Sequence, residues 1–203
     1  MQSPMLELNT VQTDIISSKH LAAASGERVL LSGPSGSGKS YFLRILADLV
    51  PWQGAISLNG KPASAIPGPE WRQRVMLVPS ASHWWQPLVE DHFTHPSDAP
   101  LEALGLDRGI LKKDPQYLSS GERQRLALLR ALDRKPAVLL LDEPSANLDP
   151  ERTGQMETLL NDWCKKTPGL LVMTSHDPAQ RTRMADRLWQ IRGGQVIDTG
   201  EHA

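Results

Sequence analysis

The sequence has little of several features that mark specialised classes of protein. Only one cysteine, Cys164, occurs among the 203 residues, so no disulfide can form within the chain and a reducing compartment is expected. The net charge is −1, which gives no strong field to attract nucleic acid or an anionic membrane surface. Aromatic residues make up 5 % of the chain, yet six of them are tryptophan, so the positions of the tryptophans are informative.

Long apolar runs and targeting segments are also lacking. No apolar run approaches the roughly 20 residues that a membrane-spanning helix needs. The start of the sequence, Met1 to Met5, has neither the basic residues nor the apolar run of a secretion signal. We therefore expect a cytoplasmic protein, and if it works at a membrane, another chain must provide the membrane part.

The clearest positive signal is a glycine-rich stretch that fits the pattern G-x-x-x-x-G-K-[ST] at every position. Its residues are Gly33, Pro34, Ser35, Gly36, Ser37, Gly38, Lys39 and Ser40. An apolar segment (28–32) precedes it and a segment with helical spacing (41–49) follows it, which is the context that a phosphate loop requires. We expect its backbone N–H groups to surround the phosphates of a nucleoside triphosphate. Lys39 would contact the β- and γ-phosphates, and the Ser40 hydroxyl would bind Mg²⁺.

A second set of polar residues follows apolar strands farther along the chain. The run 137–141 is continuously apolar, which is typical of a parallel strand covered on both faces, and it leads into Asp142 and Glu143. Because ligands of open α/β sheets collect at the carboxyl ends of strands, Asp142 is expected to hold Mg²⁺. Glu143 is placed to orient or deprotonate an attacking water. His176, after another predicted strand, would contact the γ-phosphate or hold Glu143 and the water in place.

The remaining patterns predict an α/β fold with a mostly parallel sheet flanked by helices, of the phosphate-loop (RecA-like) kind. Alternating residues in 6–11, with a strand and turn over 55–60, predict a small antiparallel β layer. A short helical sub-lobe is expected to contain a helix over about 101–113, and a strong helix opens at 118–122. We expect one domain over residues 1–203, with the antiparallel layer and phosphate loop in about 1–70, the sub-lobe in 80–135 and the catalytic core in 136–203.

In this order, the motifs resemble those of the ATP-binding-cassette (ABC) ATPases over nearly the whole chain. Between the phosphate loop and the Asp142–Glu143 pair stands a segment similar to the signature motif of that family. Its residues are Leu118, Ser119, Ser120, Gly121 and Glu122. Ser145 to Asp149 resembles the loop that crosses the dimer interface in the family, and His176 resembles its switch histidine.

The resemblance implies ATP and Mg²⁺ as cofactors, Asp142 as the carboxylate that binds the metal, and Glu143 as the catalytic base with His176 beside it. In the family two cassettes pair head to tail, and each signature segment closes over the phosphate loop of its partner. Ser145 and Asp149 would then lie in the dimer interface, and a homodimer is expected. Physically, the signature segment is a second helix start able to bind an anion, which makes sense if it serves the nucleotide of another subunit.

The function implied by the resemblance is that of a stand-alone ATPase subunit of an ABC transporter. It would act on the cytoplasmic face of a membrane, drive a separate integral membrane permease, and have no nucleic-acid partner. Two alternatives stay open: a non-transport ABC ATPase of DNA repair or translation, and a regulatory cassette with altered coupling. A phosphate-loop kinase or GTPase would not explain the signature segment.

Some positions depart from the family pattern. Ser80 stands where the family has a glutamine that relays motion to the membrane subunit, so we expect altered coupling, and nothing assigns that role to the nearby Gln86. No aromatic residue precedes Tyr41, whereas the family stacks adenine on an early aromatic ring. We therefore expect weak ATP affinity and poor discrimination among bases. Ser120, where glycine is common, is a milder change because Gly121 remains.

The segment between Ser80 and the signature is short and contains two adjacent tryptophans. About 24 residues separate Phe93 from Leu118, so the sub-lobe is smaller than in importers, which favours export. Trp84 and Trp85 follow Ser80, where cassettes of the family face the membrane subunit. Because neighbouring residues of an extended chain point in opposite directions, one of the two is expected to be exposed or in an interface.

Overall fold

Apolar runs of the sequence form strands of one mixed sheet in the computed structural model, which describes residues 4–200. The strands in chain order are β1 (Leu6–Gln12), β2 (Ser17–Ser18), β3 (His20–Ala23), β4 (Arg28–Ser32), β5 (Gln53–Leu58), β6 (Lys61–Pro62), β7 (Val75–Val78), β8 (Val138–Leu141), β9 (Leu170–Thr174), β10 (Arg187–Arg192) and β11 (Gln195–Asp198). The helices are α1 (Lys39–Leu46), α2 (Gly68–Arg74), α3 (Ser120–Asp133), α4 (Pro150–Lys166) and α5 (Pro178–Met184). Residues 1–3, at the start expected to lack a secretion signal, and residues 201–203 lie outside the described part.

The sheet has a parallel half and a largely antiparallel half. Its strand order is β6-β5-β1-β2-β11-β10-β4-β9-β8-β7, and β3 pairs with β1. From β10 to β7 every pair is parallel, whereas β1, β3, β5 and β6 pair antiparallel. The two halves join through the short β2, which is parallel to β11 and antiparallel to β1. The predicted fold class, a mostly parallel core with a small antiparallel layer, is confirmed.

Alternating residues of the parallel strands face two separate cores. In β8, Val138 and Leu140 pack in the core that includes Phe42 of α1, while Leu139 and Leu141 pack in the core that includes α3 and α4. All four residues of β8 are fully buried, which explains why this strand is apolar at every position. Burying one such side chain contributes roughly 1.5–3 kcal/mol, and Asp142 and Glu143 follow this buried strand directly.

The sub-lobe differs from the prediction in its secondary structure. Instead of one helix over 101–113, the chain forms two 3-10 turns, Glu102–Leu104 and Arg108–Lys112. Gly105 ends the first turn with a left-handed φ of 59°, a conformation that glycine adopts without strain and that stops a helix. The leucine and isoleucine side chains of the segment are nevertheless buried, so the predicted pattern identified core positions and not a helix. The proposed boundaries near 70, 80 and 136 stay predictions.

The tryptophans outside this sub-lobe serve packing. Trp189 meets the Phe42 ring edge to face at 6.2 Å, and the buried Trp71 donates its indole N–H to the carbonyl of Leu46 at 2.9 Å. Trp52 and Trp163 are partly buried against the two cores. In the described part of the chain no helix has the length and apolar character to cross a membrane.

Candidate active site

The predicted phosphate loop connects β4 to α1 at the carboxyl edge of the parallel strands. Gly33, Gly36 and Gly38 have φ values of 153°, 74° and 99°, all in the region that favours glycine. A Cβ atom added to Gly38 would lie 2.6 Å from Cδ1 of Ile16, so a larger residue there would have to displace this side chain. The helix α1 begins immediately after the loop, at Lys39.

Lys39 is folded over this loop. Its Nζ donates hydrogen bonds to the carbonyl oxygens of Gly33 at 2.9 Å and Pro34 at 3.1 Å. Only 7 % of the residue is exposed, and no carboxylate among residues 4–200 lies within ion-pair distance of it. A buried cation bound only to neutral carbonyls can exchange them for phosphate oxygens.

The two predicted acidic residues follow β8 and are linked by a threonine of the neighbouring strand. Asp142 is 7 % exposed, and its Oδ1 accepts a hydrogen bond from Oγ1 of Thr174 at 3.0 Å. The same Oγ1 accepts the backbone N–H of Glu143 at 2.9 Å. Glu143 has a left-handed φ of 50°, which costs on the order of 1–3 kcal/mol in a residue that is not glycine. The sequence analysis missed Thr174, although a lone hydroxyl in an apolar strand was a signal.

Glu143 and His176 meet beyond the ends of β8 and β9. Nε2 of His176 lies 2.8 Å from Oε1 of Glu143. Both side chains are partly exposed, so water can reach the carboxylate. The predicted neighbourhood of these two residues is therefore present in the structure.

The signature-like segment forms the start of α3. Oγ of Ser119 accepts the N–H of Glu122 at 3.2 Å, and Oε2 of Glu122 accepts the N–H of Ser119 at 2.8 Å. This reciprocal pair is a capping box. The backbone hydrogen bond from Ser119 lowers the pKa of Glu122. Leu118 is buried, whereas Ser120 is exposed.

The segment from Ser145 to Asp149 packs against this helix start. A Cβ atom added to Gly121 would lie 3.1 Å from the carbonyl oxygen of Asn147, so the two backbones approach closely. Oγ of Ser145 donates to Oε1 of Gln180 at 3.0 Å, and Nε2 of Gln180 donates to Oε1 of Glu157 at 3.0 Å. Asp149 caps α4 by accepting the N–H of Arg152 at 2.8 Å. Hydrogen bonds thus hold both ends of the segment.

A cavity of about 690 Å³ brings part of the predicted site together. Glu143, His176 and Ser145 line it, together with residues of α4 and α5. Neither the phosphate loop nor the signature-like segment lines it. The chain therefore brings Glu143, His176 and residues of the 145–149 segment to one opening, and Asp142 does not line it.

The described residues fit a magnesium ion that is bound together with a nucleotide. Residues 4–200 contain no cluster of three or more His, Cys, Asp or Glu side chains that could hold a metal alone. Mg²⁺ prefers oxygen ligands and is usually bound by one or two protein groups with phosphates and waters. The Ser40 hydroxyl and the Asp142 carboxylate are such groups, since Oδ2 of Asp142 accepts no protein hydrogen bond in the described chain.

The turn between β1 and β2 lies beside the phosphate loop. Oγ1 of Thr13 accepts the N–H groups of Ile15 and Ile16 at 3.2 and 2.9 Å, which fixes the turn. Ile16 is buried against Gly38, whereas Ile15 is 58 % exposed. The surface next to the loop is therefore aliphatic, as the lack of an early aromatic residue predicts.

Trp84 and Trp85 form an aromatic cluster with His92 and Arg130. The His92 ring lies 4.8 Å from Trp84 and 4.7 Å from Trp85, and the Arg130 guanidinium lies 4.4 and 5.1 Å from the same two rings. Burial and the nearby Arg130 lower the pKa of His92. Trp85 is 69 % exposed and Trp84 partly buried, so the prediction that one of the pair is exposed is confirmed. Ser80, earlier in this loop, is exposed.

Comparison with known proteins gives consistent results. The family model described as ABC transporter matches residues 17–146. The sn-glycerol-3-phosphate import ATP-binding protein UgpC of Chromohalobacter salexigens is 34 % identical over 195 residues, which cover 89 % of this chain and 52 % of that protein. The thiamine import ATP-binding protein ThiQ of Salmonella typhimurium is 32 % identical over 196 residues, which cover 89 % of this chain and 83 % of that protein. The chain thus spans about half the length of the first relative and most of the second.

Two solved structures share the fold. The structure of cbiO1 from Clostridium perfringens, part of the ABC transporter complex cbiONQ, aligns with a TM-score of 0.80 at 21 % identity and covers 97 % of this chain and 88 % of that chain. A bacterial Atm1-family ABC exporter with ATP bound aligns with a TM-score of 0.77 at 22 % identity, over 96 % of this chain and 38 % of that chain. At these identities the likeness supports the fold alone.

Proposed function

The chain belongs to the ABC transporter family as an ATP-binding subunit, and from this we propose that it hydrolyses ATP to drive a separate membrane permease. One observation carries the proposal: the Glu143–His176 contact of 2.8 Å lies at the edge of the sheet that also bears the phosphate loop. A pair of this kind suits the activation of water. A regulatory cassette that only bound ATP would not need it.

The residues divide the work of hydrolysis among them. Lys39 releases its two carbonyl partners and donates to the β- and γ-phosphates, and the loop N–H groups hold the same phosphates. Ser40 and Asp142 would hold Mg²⁺, which, when bound, neutralises charge on the phosphates. Glu143 orients the attacking water and accepts its proton as the water oxygen bonds to the γ-phosphorus and the bond to ADP breaks.

His176 acts through Glu143. Nε2 of His176 lies 2.8 Å from Oε1 of Glu143, so an imidazole with its proton on Nε2 would pair with this carboxylate. The imidazole thereby fixes the carboxylate in one orientation before water binds. Because Glu143 is partly exposed, it would rotate freely without such a partner.

We further propose that the active unit is a homodimer. The start of α3, with Ser119, Ser120 and Gly121, does not line the cavity that contains Glu143. A second copy placed head to tail would bring its α3 N-terminus to the phosphates of the first, where the helix dipole favours negative charge. The hydrogen-bonded segment with Ser145 and Asp149 would then lie between the subunits.

The direction of transport is proposed from the curated relatives. UgpC and ThiQ are import proteins, which supports import over the export that the small sub-lobe favoured. The permease is expected to contact Trp85, the exposed member of the aromatic cluster, because large exposed aromatic rings are characteristic of interface anchors. A near-neutral net charge of −1 argues against a nucleic-acid partner.

Phosphate release from ATP by the purified protein tests the central proposal. Wild-type protein should release phosphate with Mg²⁺, Glu143→Gln should bind ATP without turnover, and Lys39→Ala should lose ATP binding itself. The Gln variant should also accumulate as an ATP-bound dimer in light scattering. Turnover that persists in Glu143→Gln would remove this residue from the role of base.

A further inference from the structure

Thr174 has a buried hydroxyl that the core around it does not explain. It is the last residue of β9, whose other four residues are Leu, Leu, Val and Met, and it is 0 % exposed. A hydroxyl group at such a position is unfavourable unless it has hydrogen-bond partners. Its partners therefore indicate its role, and both belong to the hydrolytic site.

One hydroxyl connects two acidic residues in different ways. Oγ1 of Thr174 accepts the backbone N–H of Glu143 at 2.9 Å and lies 3.0 Å from Oδ1 of Asp142. A hydroxyl carries a single proton. Because the N–H of Glu143 already approaches a lone pair, that proton is donated to the carboxylate. The Thr174 hydroxyl therefore fixes the side chain of Asp142 and the main chain of Glu143.

The main-chain bond holds an unfavourable conformation. Glu143 has a φ of 50°, which a residue with a Cβ atom keeps only where its surroundings hold it. This conformation is the one in which the Glu143 carboxylate reaches Nε2 of His176 at 2.8 Å. Loss of the bond from N–H to Thr174 would remove one of the restraints on it.

We propose that Thr174 is a positioning residue of the hydrolytic site, which orients the Asp142 carboxylate for the metal and keeps the Glu143 main chain in its left-handed conformation. This role rests on the ATP hydrolysis proposed above. The bond to Oδ1 leaves Oδ2 of Asp142 for Mg²⁺ or one of its waters. A core-filling role for Thr174 would depend on its shape and not on its hydroxyl.

Thr174→Val separates shape from hydroxyl, because valine keeps the branched side chain. We expect kcat to fall roughly 10- to 100-fold, as for other residues that orient metal ligands. The Mg²⁺ concentration for half-maximal activity should rise. ATP binding measured in EDTA should stay unchanged, since among residues 4–200 the hydroxyl of Thr174 bonds to Asp142 and Glu143 and not to Lys39 or the phosphate loop. Thr174→Ser, which keeps the hydroxyl, should recover most of the activity.

Two measurements independent of turnover complete the test. Mn²⁺ binding with ADP, followed by electron paramagnetic resonance, should weaken in Thr174→Val and not in Thr174→Ser. Hydrogen exchange of the peptide that contains Glu143 should speed up in the same variant, because its N–H loses its acceptor. Thr158→Val is the matched control, since the Thr158 hydroxyl donates to the carbonyl of Gly154 at 2.9 Å within α4, away from Asp142 and Glu143.

The outcomes separate this role from the proposed function. If wild-type protein lacks ATPase activity, the proposed function fails, while the Mn²⁺ and exchange comparisons still test Thr174. If Thr174→Val matches wild type in kcat, Mn²⁺ binding and exchange, the positioning role is wrong. The positioning role would also be overturned if Thr174→Val and Thr174→Ser lost equal thermal stability and neither changed Mn²⁺ binding. If Thr174→Val does not fold, Thr174→Ala removes the same hydroxyl. Its activity and Mn²⁺ binding are then compared with those of Thr174→Ser.

Discussion

Nε2 of His176 lies 2.8 Å from Oε1 of Glu143, and this contact joins the ends of two neighbouring parallel strands. The two residues are 33 positions apart in sequence by their numbers, 176 and 143. Adjacent parallel strands end at the same edge of the sheet, which is why the chain brings them together. The histidine therefore lies against the proposed base, and its removal should affect the hydrolytic step more than ATP binding.

His176→Ala should lower kcat roughly 10- to 100-fold while leaving the KM for ATP within about twofold of wild type. The variant keeps Glu143 but removes the imidazole that lies 2.8 Å from its carboxylate. Steady-state phosphate release over a range of ATP concentrations gives both constants. His83→Ala, at an exposed histidine away from this contact, should behave as wild type. A large rise in KM with unchanged kcat would instead place His176 in nucleotide binding.

The order of motifs made this part of the site predictable. Phosphate loop, Asp142, Glu143 and His176 each follow an apolar strand, and the rule that strand ends collect ligands places them together. Thr174 was not predictable in the same way, because its two hydrogen bonds depend on the register of β8 with β9, where Leu141 faces Met173. Register between distant strands is a tertiary property, and local pattern does not determine it.

The fold was likewise predictable where one pattern dominated. Continuous apolar runs indicated buried parallel strands, and alternation indicated the antiparallel layer. The sub-lobe was predicted less well, because apolar residues at helical spacing also fit a chain of 3-10 turns packed on a core. Gly105, with its left-handed φ, is what breaks the predicted helix, and glycine alone does not reveal its φ in a sequence.

Ile15→Tyr should tighten ATP binding. The wild-type residue is exposed beside the phosphate loop and aliphatic, so it cannot stack on a base. A ring at this position would add roughly 1–3 kcal/mol, by analogy with base–aromatic stacking elsewhere, which corresponds to about 5- to 150-fold in Kd. Titration with fluorescent ATP and competition by GTP measure affinity and base preference. Leu49→Tyr, at another exposed aliphatic residue, controls for nonspecific effects. Tight wild-type binding with strong preference for ATP over GTP would contradict the premise.

Glu157→Gln should destabilise the protein at neutral pH and less so in acid. Hydrogen bonds from Arg183 and Gln180 lower the pKa of Glu157 against the opposing effect of burial. A lowered folded-state pKa means that this stabilisation is complete above about pH 4.3, the ordinary value for glutamate, and is lost as the pH falls through the folded-state pKa. We expect a loss of about 1–2 kcal/mol in the free energy of unfolding at pH 7.

Urea unfolding at pH 7 and at pH 3.5 measures this difference. The difference in free energy of unfolding between wild type and Glu157→Gln should narrow at the lower pH. The reason is that the Glu157 carboxylate takes up a proton more readily in the unfolded chain than in the folded protein, where its pKa is lowered. Glu151→Gln, on the exposed side of the same helix, should have the same free energy of unfolding as wild type at either pH. Glu157→Gln also tests whether Gln180, which bridges Glu157 to Ser145, still restrains the 145–149 segment. If the difference in free energy of unfolding between wild type and Glu157→Gln were the same at both pH values, the charge of Glu157 would not contribute to stability.

Trp85→Ala should release the membrane partner and spare the nucleotide. The ring is 69 % exposed, yet His92 and Arg130 hold it at 4.7 and 5.1 Å. A rigid exposed ring loses little conformational entropy when a partner covers it, which suits an interface anchor. Tagged wild-type and variant chains, purified from solubilised membranes, should differ at least tenfold in the amount of the integral membrane protein that accompanies them. Leu49→Ala removes an exposed apolar side chain from the loop that follows α1, and this variant should retain the partner. If Trp85→Ala also retains it, the aromatic cluster serves only to pack the sub-lobe against α3.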